Sequence, residues 1–318
     1  MTLHYPKKPI PTSIAVFGAS GRMGRPLAEY VRYAAPEIRL RVITSSAAGV
    51  AALQKQFPDS EAICASYLDR TSLHAAVEGM EGIFMVSPSG MDEQTAVTNL
   101  VDAVREVGTA IHIVRVVGYE PEAIAARVPE ILASRGGDAS QHFIAKTLLD
   151  RSRLPVTFLN CGATMMDNLL FSAQGIRERG TFVHPPRYIP YIDARDFGEV
   201  AARLLLSDDA RHITQFHTVN NGQDQLTTEE VTEIMSDVLK RRITYDGSRE
   251  TFMREVGSQL DQRYGRPGQG DYIWDFTQFE LSNSVVWSLN NFAERMLGRR
   301  PNSLRSWLME HRQFFLPG

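Results

Sequence analysis

Gly18, Gly21 and Gly24 fall where an apolar run at 14–17 gives way to a helix-period segment at 22–33. Glycine accepts the backbone conformations of a tight turn, and without a Cβ it lets another backbone or a ligand come close. A helix that opens directly from such a turn offers unsatisfied N–H groups and the positive end of its dipole. At a strand–helix junction these features together make a phosphate cradle. The spacing is GxxGxxG rather than GxGxxG, with the same physical consequence. Gly18, Ser20, Gly21, Arg22, Met23 and Gly24 are therefore expected to hold the pyrophosphate of a nicotinamide dinucleotide.

The rest of the first half repeats that alternation. Apolar runs at 40–44, 63–65, 83–86, 111–117 and 156–160 are separated by helix-period segments at 48–56, 69–78, 92–107 and 138–151. Short Ile/Val-rich runs between helices indicate parallel strands buried on both faces. The fold class is α/β, a doubly wound parallel Rossmann sheet. The expected dinucleotide-binding domain covers 12–162, with a helix and strand at 195–219 completing it. Residues 163–194 are loop-rich, and with 220–318 they form a smaller, mostly helical substrate region. Thr227 and Glu230 have capping-box spacing ahead of a helix to 239.

The second strand separates the two nicotinamide dinucleotides. An NAD site places a carboxylate there for the ribose 2′-hydroxyl. Residues 40–58 contain no Asp or Glu, and the strand ends in Thr44, Ser45 and Ser46. Hydroxyls there, with Arg22 reaching from the loop, suit a 2′-phosphate. The expected cofactor is NADP(H) in preference to NAD(H).

Net charge is −3, so no global positive field recruits nucleic acid or an anionic membrane. The longest uncharged runs, such as 154–166, fall short of the ~18 residues a spanning helix needs. Residues 1–11 lack the apolar core of a signal peptide and are expected to be a short disordered lead; the expected location is cytoplasmic. Cys64 and Cys161 are expected to be buried thiols, and the eight histidines show no metal-ligand spacing.

His142 and Lys146 stand at i and i+4 on the helix that flanks the carboxyl-end crevice. Lys146 is the candidate for the nicotinamide ribose hydroxyls, and His142 or Tyr119 for the proton that accompanies a hydride. Ser87, Pro88 and Ser89 follow the fourth strand and should line the crevice. Met165, Asn168, Tyr188, Tyr191 and Trp274 are candidates for a partly apolar substrate pocket. The tryptophans Trp274, Trp287 and Trp307 suit either a built pocket or a homodimer surface.

With these residues in place, the chain resembles the NmrA-like group of atypical short-chain dehydrogenases. The segments that carry the resemblance are VFGASGRMG at 16–24, GIFMVSPSG at 82–90, NLVDAVREVGTAIHIV at 99–114 and HFIAKTLLDRSRLPVTFLNCGATMMDNLL at 142–170. YIDARDFGEVAARLL at 191–205 and MLGRRPNSLRSWLMEH at 296–311 extend it. The resemblance implies a Rossmann domain that usually takes NADP(H), a small C-terminal substrate region, and a catalytic lysine at Lys146 as in isoflavone-reductase-like enzymes. Three positions depart from the pattern. His142 stands where ordinary short-chain dehydrogenases have the tyrosine of Tyr-x-x-x-Lys, no serine closes the fifth strand, and Thr-Ser-Ser replaces the frequent arginine after the second. The reading that follows is an NADPH-dependent reductase of a small, partly apolar quinone, enone, carbonyl or imine. A non-catalytic redox sensor with a protein partner and a redox-neutral isomerase or cyclase remain its alternatives.

Overall fold

The computed structural model describes residues 5–118, 138–264, 267–282 and 288–317. Its frame is seven parallel strands: β1 (Ser13–Phe17), β2 (Arg39–Thr44), β3 (Glu61–Cys64), β4 (Gly82–Met85), β5 (His112–Val117), β6 (Val156–Cys161) and, later in the chain, Phe216–Val219. The spatial order is β3-β2-β1-β4-β5-β6 with Phe216–Val219 at the edge beside β6. The order reverses between β1 and β4, so the carboxyl ends of these two strands open the crevice where a doubly wound sheet binds its ligand.

Helices cover both faces. α1 (Gly24–Ala34) follows β1, and α2 (Ala47–Gln56) follows β2. α3 (Arg70–Val77), α4 (Glu93–Val107) and α5 (Asp138–Ser152) follow β3, β4 and β5. Asp69 caps α3 by accepting from Thr71 N–H at 3.1 Å, and Asp92 caps α4 by accepting from Thr95 N–H at 3.2 Å. Strand residues alternate between two cores: Ile14 and Val16 join Leu27, Val31 and Phe197 on one face, while Ala15 and Phe17 join Leu73, Leu100 and Leu149 on the other.

The second region is mostly helical and also carries short strands. β7 (Thr164–Met165), β9 (Tyr188–Ile192) and Gln225–Thr227 form a three-stranded sheet, and β8 (Thr181–Val183) pairs with Thr244–Asp246. Strands this short are built from the Gly- and Pro-rich stretch that reads as loop, because pairing partners lie 35 and 63 residues away in the register pairs Pro190–Gln225 and Thr181–Thr244, beyond the reach of local periodicity. The Thr227 capping box forms as its spacing requires, with Glu230 N–H donating to Thr227 Oγ1 at 3.2 Å and Thr227 N–H to Glu230 Oε2 at 2.7 Å. A third core gathers Met166, Ile176, Tyr191, Met235, Trp307 and Phe315.

The N-terminal lead is ordered from residue 5 rather than disordered. Lys8 N–H donates to Asp208 O at 2.8 Å and Tyr5 OH to Asp208 Oδ1 at 2.9 Å. Cys64 is exposed, contrary to expectation, because β3 is the sheet edge.

Gly198, in the helix Ala194–Leu206, sets how closely that helix approaches α1. A Cβ at this position would lie 2.7 Å from Pro26 Cγ, 2.8 Å from Met23 O and 2.9 Å from Leu27 N. Gly198→Ala should therefore destabilise the fold by about 1–3 kcal/mol, read as a lower Tm. Acid sensitivity follows from three rings, His112 buried and His184 and His217 half-buried. Burial holds His112 at about 3 and His184 and His217 at about 4, all below the ordinary 6.5. Below 6.5 the unfolded chain takes up protons at these rings while the folded chain does not, so Tm should fall as pH drops towards 4. A flat Tm across that window would contradict neutral burial of the three rings.

Candidate dinucleotide site

The turn after β1 is built on contacts that only glycine permits. Gly18 has φ +67°, and a Cβ there would sit 2.9 Å from Val86 Cγ1. Gly21 N–H donates to Gly18 O at 2.8 Å, closing the turn. A Cβ on Gly24 would overlap the Gly18 carbonyl, so α1 can begin against the turn only with glycine at its first position. No side chain caps α1, and its first turn carries no acidic residue. That leaves a positive helix end facing the crevice, the arrangement that favours an anion.

A cavity of ≈ 330 Å³ opens over this turn. It runs from Thr44 and Ser45 at the end of β2, past Gly18, Ser20, Gly21, Arg22, Met23 and Gly24, to Val86, Ser87, Pro88 and Met91 beyond β4. Ala65, Ser66 and Tyr67, which follow β3, close one side and were not singled out in the sequence. Among the described residues, none that lines it is a carboxylate. Ser46 is exposed and not among the lining residues, since the chain turns there into α2 and its N–H is held by Thr44 Oγ1 at 3.3 Å.

Arg22 is oriented otherwise than its position suggests. Its Nη1 donates to Asn168 Oδ1 at 2.7 Å, and its charge acts on the Cys161 thiol at the end of β6. The guanidinium thus ties the glycine turn to the second region, because Asn168 offers it an acceptor there. Burial outweighs that charge and pushes the Cys161 thiol up to about 12.

His142 stands at the carboxyl end of β5, where Gly118 N–H donates to its Nδ1 at 2.9 Å. An amide N–H can only donate, so Nδ1 is an acceptor and the neutral ring carries its proton on Nε2. Lys146, one turn on, is turned to Asp150, and its Nζ lies 4.8 Å over the Phe158 ring. Asp150, one turn further along α5 from the crevice end, attracts it away from the expected ribose position. Tyr119 lies outside the described residues.

The expected pocket residues divide. Ser89 Oγ accepts from Gln269 Nε2 at 3.3 Å, which brings the helix Gln269–Ser282 over the turn after β4. Trp274, on the same helix, packs 5.6 Å from Phe252 beside Phe171, Met253 and Val256. Met165 and Tyr191 belong to the core instead, 5% and 2% exposed, since both lie in paired strands whose inner faces pack against other elements. Tyr188, at the head of β9, is on the surface. Sequence reasoning missed Glu93 and Arg115, which form a buried ion pair behind Ser87. The available signal was an arginine in the middle of the apolar run 111–117. Among the described residues no group of three His, Cys, Asp or Glu could hold a metal, and no helix is long and apolar enough to cross a membrane.

Gly24→Ala should abolish dinucleotide binding, a loss of about a hundredfold or more, because the backbone of the phosphate cradle must move to admit the methyl group. Retention of wild-type affinity in a titration would show that the turn is not the cradle.

Known proteins of this shape bear on the site. Over 314 residues the chain is 24% identical to (4-alkanoyl-5-oxo-2,5-dihydrofuran-3-yl)methyl phosphate reductase of Streptomyces griseus, covering 96% of this chain and 99% of that protein. The NADPH-dependent quinone oxidoreductase of Escherichia coli, solved with NADPH, superposes with a TM-score of 0.74 at 19% identity, covering 94% of this chain and 99% of that one. NmrA, a negative transcriptional regulator solved with NAD, superposes with a TM-score of 0.68 at 18% identity, covering 96% and 95%. The family model described as NmrA-like matches residues 11–265, and the chain belongs to the NmrA-like family.

Proposed function

We propose that this chain is an NADPH-dependent reductase of a small, partly apolar organic molecule such as a quinone, enone, carbonyl or imine. The observation that carries the reading is the cavity over the glycine turn, which joins an uncapped helix N-terminus to a hydroxyl-bearing end with no carboxylate among its described lining residues. The uncapped end of α1 takes the pyrophosphate, and the hydroxyls of Thr44 and Ser45 donate to the 2′-phosphate. A carboxylate in their place would favour the unphosphorylated ribose. The two full-length enzymes named above are reductases, one of them NADPH-dependent, which supports the same direction.

When bound, the nicotinamide supplies a hydride. The protein's part is to orient, to exclude water and to supply a proton where the substrate needs one. Neutral His142, its proton held on Nε2 by the Gly118 contact, donates a hydrogen bond to oxygen that gains negative charge. The helix Gln269–Ser282 reaches the turn after β4 through the Gln269–Ser89 contact, while its Trp274 and Ile273 pack against Phe252 and Val256. A regulator that binds the dinucleotide without turnover is the second reading, favoured by His142 in the tyrosine position and by Lys146 paired with Asp150.

NADPH oxidation measured across quinones, enones, aldehydes and imines decides between them. Turnover on at least one class is the expected result. Tight NADPH binding with none would overturn the reductase and favour the regulator. For cofactor choice, the double change Thr44→Ala with Ser45→Ala should weaken NADPH by about tenfold and leave NADH unaltered. Arg22→Ala, whose guanidinium is engaged by Asn168, should affect both cofactors alike.

A further inference from the structure

Behind the β4 end of the cavity lies an ion pair that the chemistry above does not use. Arg115 of β5 and Glu93, the first residue of α4, meet at 2.5 Å with side chains 0% and 1% exposed. Ser87 sits between them. Its Oγ accepts from Arg115 Nη2 at 2.8 Å, and its hydroxyl donates to Glu93 Oε1. Glu93 N–H donates in turn to Gln141 Oε1 on α5 at 3.1 Å. Among the described residues Arg115 Nε and Nη1 and Glu93 Oε2 have no hydrogen-bond partner.

Stability gives a poor account of this arrangement. Removing two charges from water is expensive, three of their polar atoms recover nothing, and apolar residues of similar volume commonly fill such a space at least as well. What the pair does achieve is directional. A serine hydroxyl has one proton and two lone pairs. Here the proton is committed to a carboxylate and a lone pair to a guanidinium, so the Ser87 side chain has one orientation. Ser87 and Pro88 line the cavity, whereas Glu93 and Arg115 do not.

We propose that Glu93 and Arg115 are positioning residues for the dinucleotide. Through Ser87 they hold the wall after β4 in the shape that receives the half of the cofactor remote from Thr44 and Ser45. A wall already fixed loses little freedom on binding, and that raises affinity without any new contact. The proposal rests on the NADPH-binding reading.

The test is a titration of NADPH and of 2′,5′-ADP, which carries only the adenosine end, against wild type, Glu93→Gln, Ser87→Ala and the double variant, with a thermal melt of each. Wild type should bind both ligands. Glu93→Gln keeps an acceptor oxygen for the Ser87 hydroxyl but removes the charge that strengthens the contact, and should weaken NADPH by about three- to tenfold and leave 2′,5′-ADP unaltered. The double variant should bind NADPH no worse than the weaker single variant, since both changes act through one hydroxyl. A lower Tm with wild-type NADPH affinity would reduce the pair to a structural role and overturn the proposal. Additive losses, or equal losses for both ligands, would overturn it too. Should Glu93→Gln fail to fold, Ser87→Ala leaves the ion pair in place and carries the same comparison: weaker NADPH supports the positioning role, and unchanged affinity refutes it. Failure of wild type to bind either ligand would instead overturn the cofactor reading, and the positioning role with it.

Discussion

The missing Cβ at Gly24 is the constraint on which the rest of this molecule turns. α1 starts in contact with the Gly18 carbonyl, and a methyl group there would require the strand–turn–helix junction to open. The same helix is approached from its other side by Gly198, where a methyl group would meet Met23 O and Leu27 N. Two glycines, 174 residues apart in the chain (198 − 24), thus fix one helix from two directions. Its N-terminus is the positive end that faces the crevice, so the placement of a single dipole links packing to ligand chemistry. Interiors packed this closely transmit displacement, and small changes at Gly198 reach the cradle through Met23 and Leu27.

Charge is arranged asymmetrically around that helix end. The described residues lining the cavity present hydroxyls, backbone, apolar groups and Arg22, with no acidic residue among them, while two carboxylates elsewhere are engaged by cations. Glu93 is neutralised by Arg115 inside the protein, and Asp193 is turned to Arg195 and Asn302, which hold its carboxyl below the usual range against the burial that would raise it. An anion with several charges, such as a phosphorylated dinucleotide, therefore meets dipoles and donors and no uncompensated negative charge.

The parallel sheet and the glycine turn were legible because both are written in local sequence. Ile/Val runs at regular intervals specify buried parallel strands, and Gly18 and Gly24 sit where a strand must become a helix. The carboxylate-free second strand was equally local. What escaped depended on partners distant in the chain. Arg22 and Asn168 are 146 residues apart, and nothing near Arg22 indicates that its guanidinium would turn to the second region. The contact of Lys146 with Asp150, four residues on, is local and was open to an i,i+4 reading of the helix. Tyr191 and Met165 read as pocket residues because a Gly- and Pro-rich stretch looks like loop. Pairing of β7 with β9, in which Thr164 faces Tyr191, makes them core.

The chemical end of the site follows from what the helix α5 presents. A tyrosine in the position of His142 would carry an acidic proton on a long, exposed phenol. The imidazole is instead held by a backbone amide, which fixes its tautomer and makes protonation at Nδ1 compete with the Gly118 contact. An imidazole that accepts at Nδ1 is a hydrogen-bond donor through Nε2. Such a group stabilises charge that develops on oxygen and leaves full protonation to water, which suits acceptors whose reduced form is already a weak base. Quinones and extended conjugated acceptors meet that condition better than simple aldehydes, whose alkoxide requires a proton at once. Lys146, one turn further along the same helix, is paired with Asp150 at i and i+4.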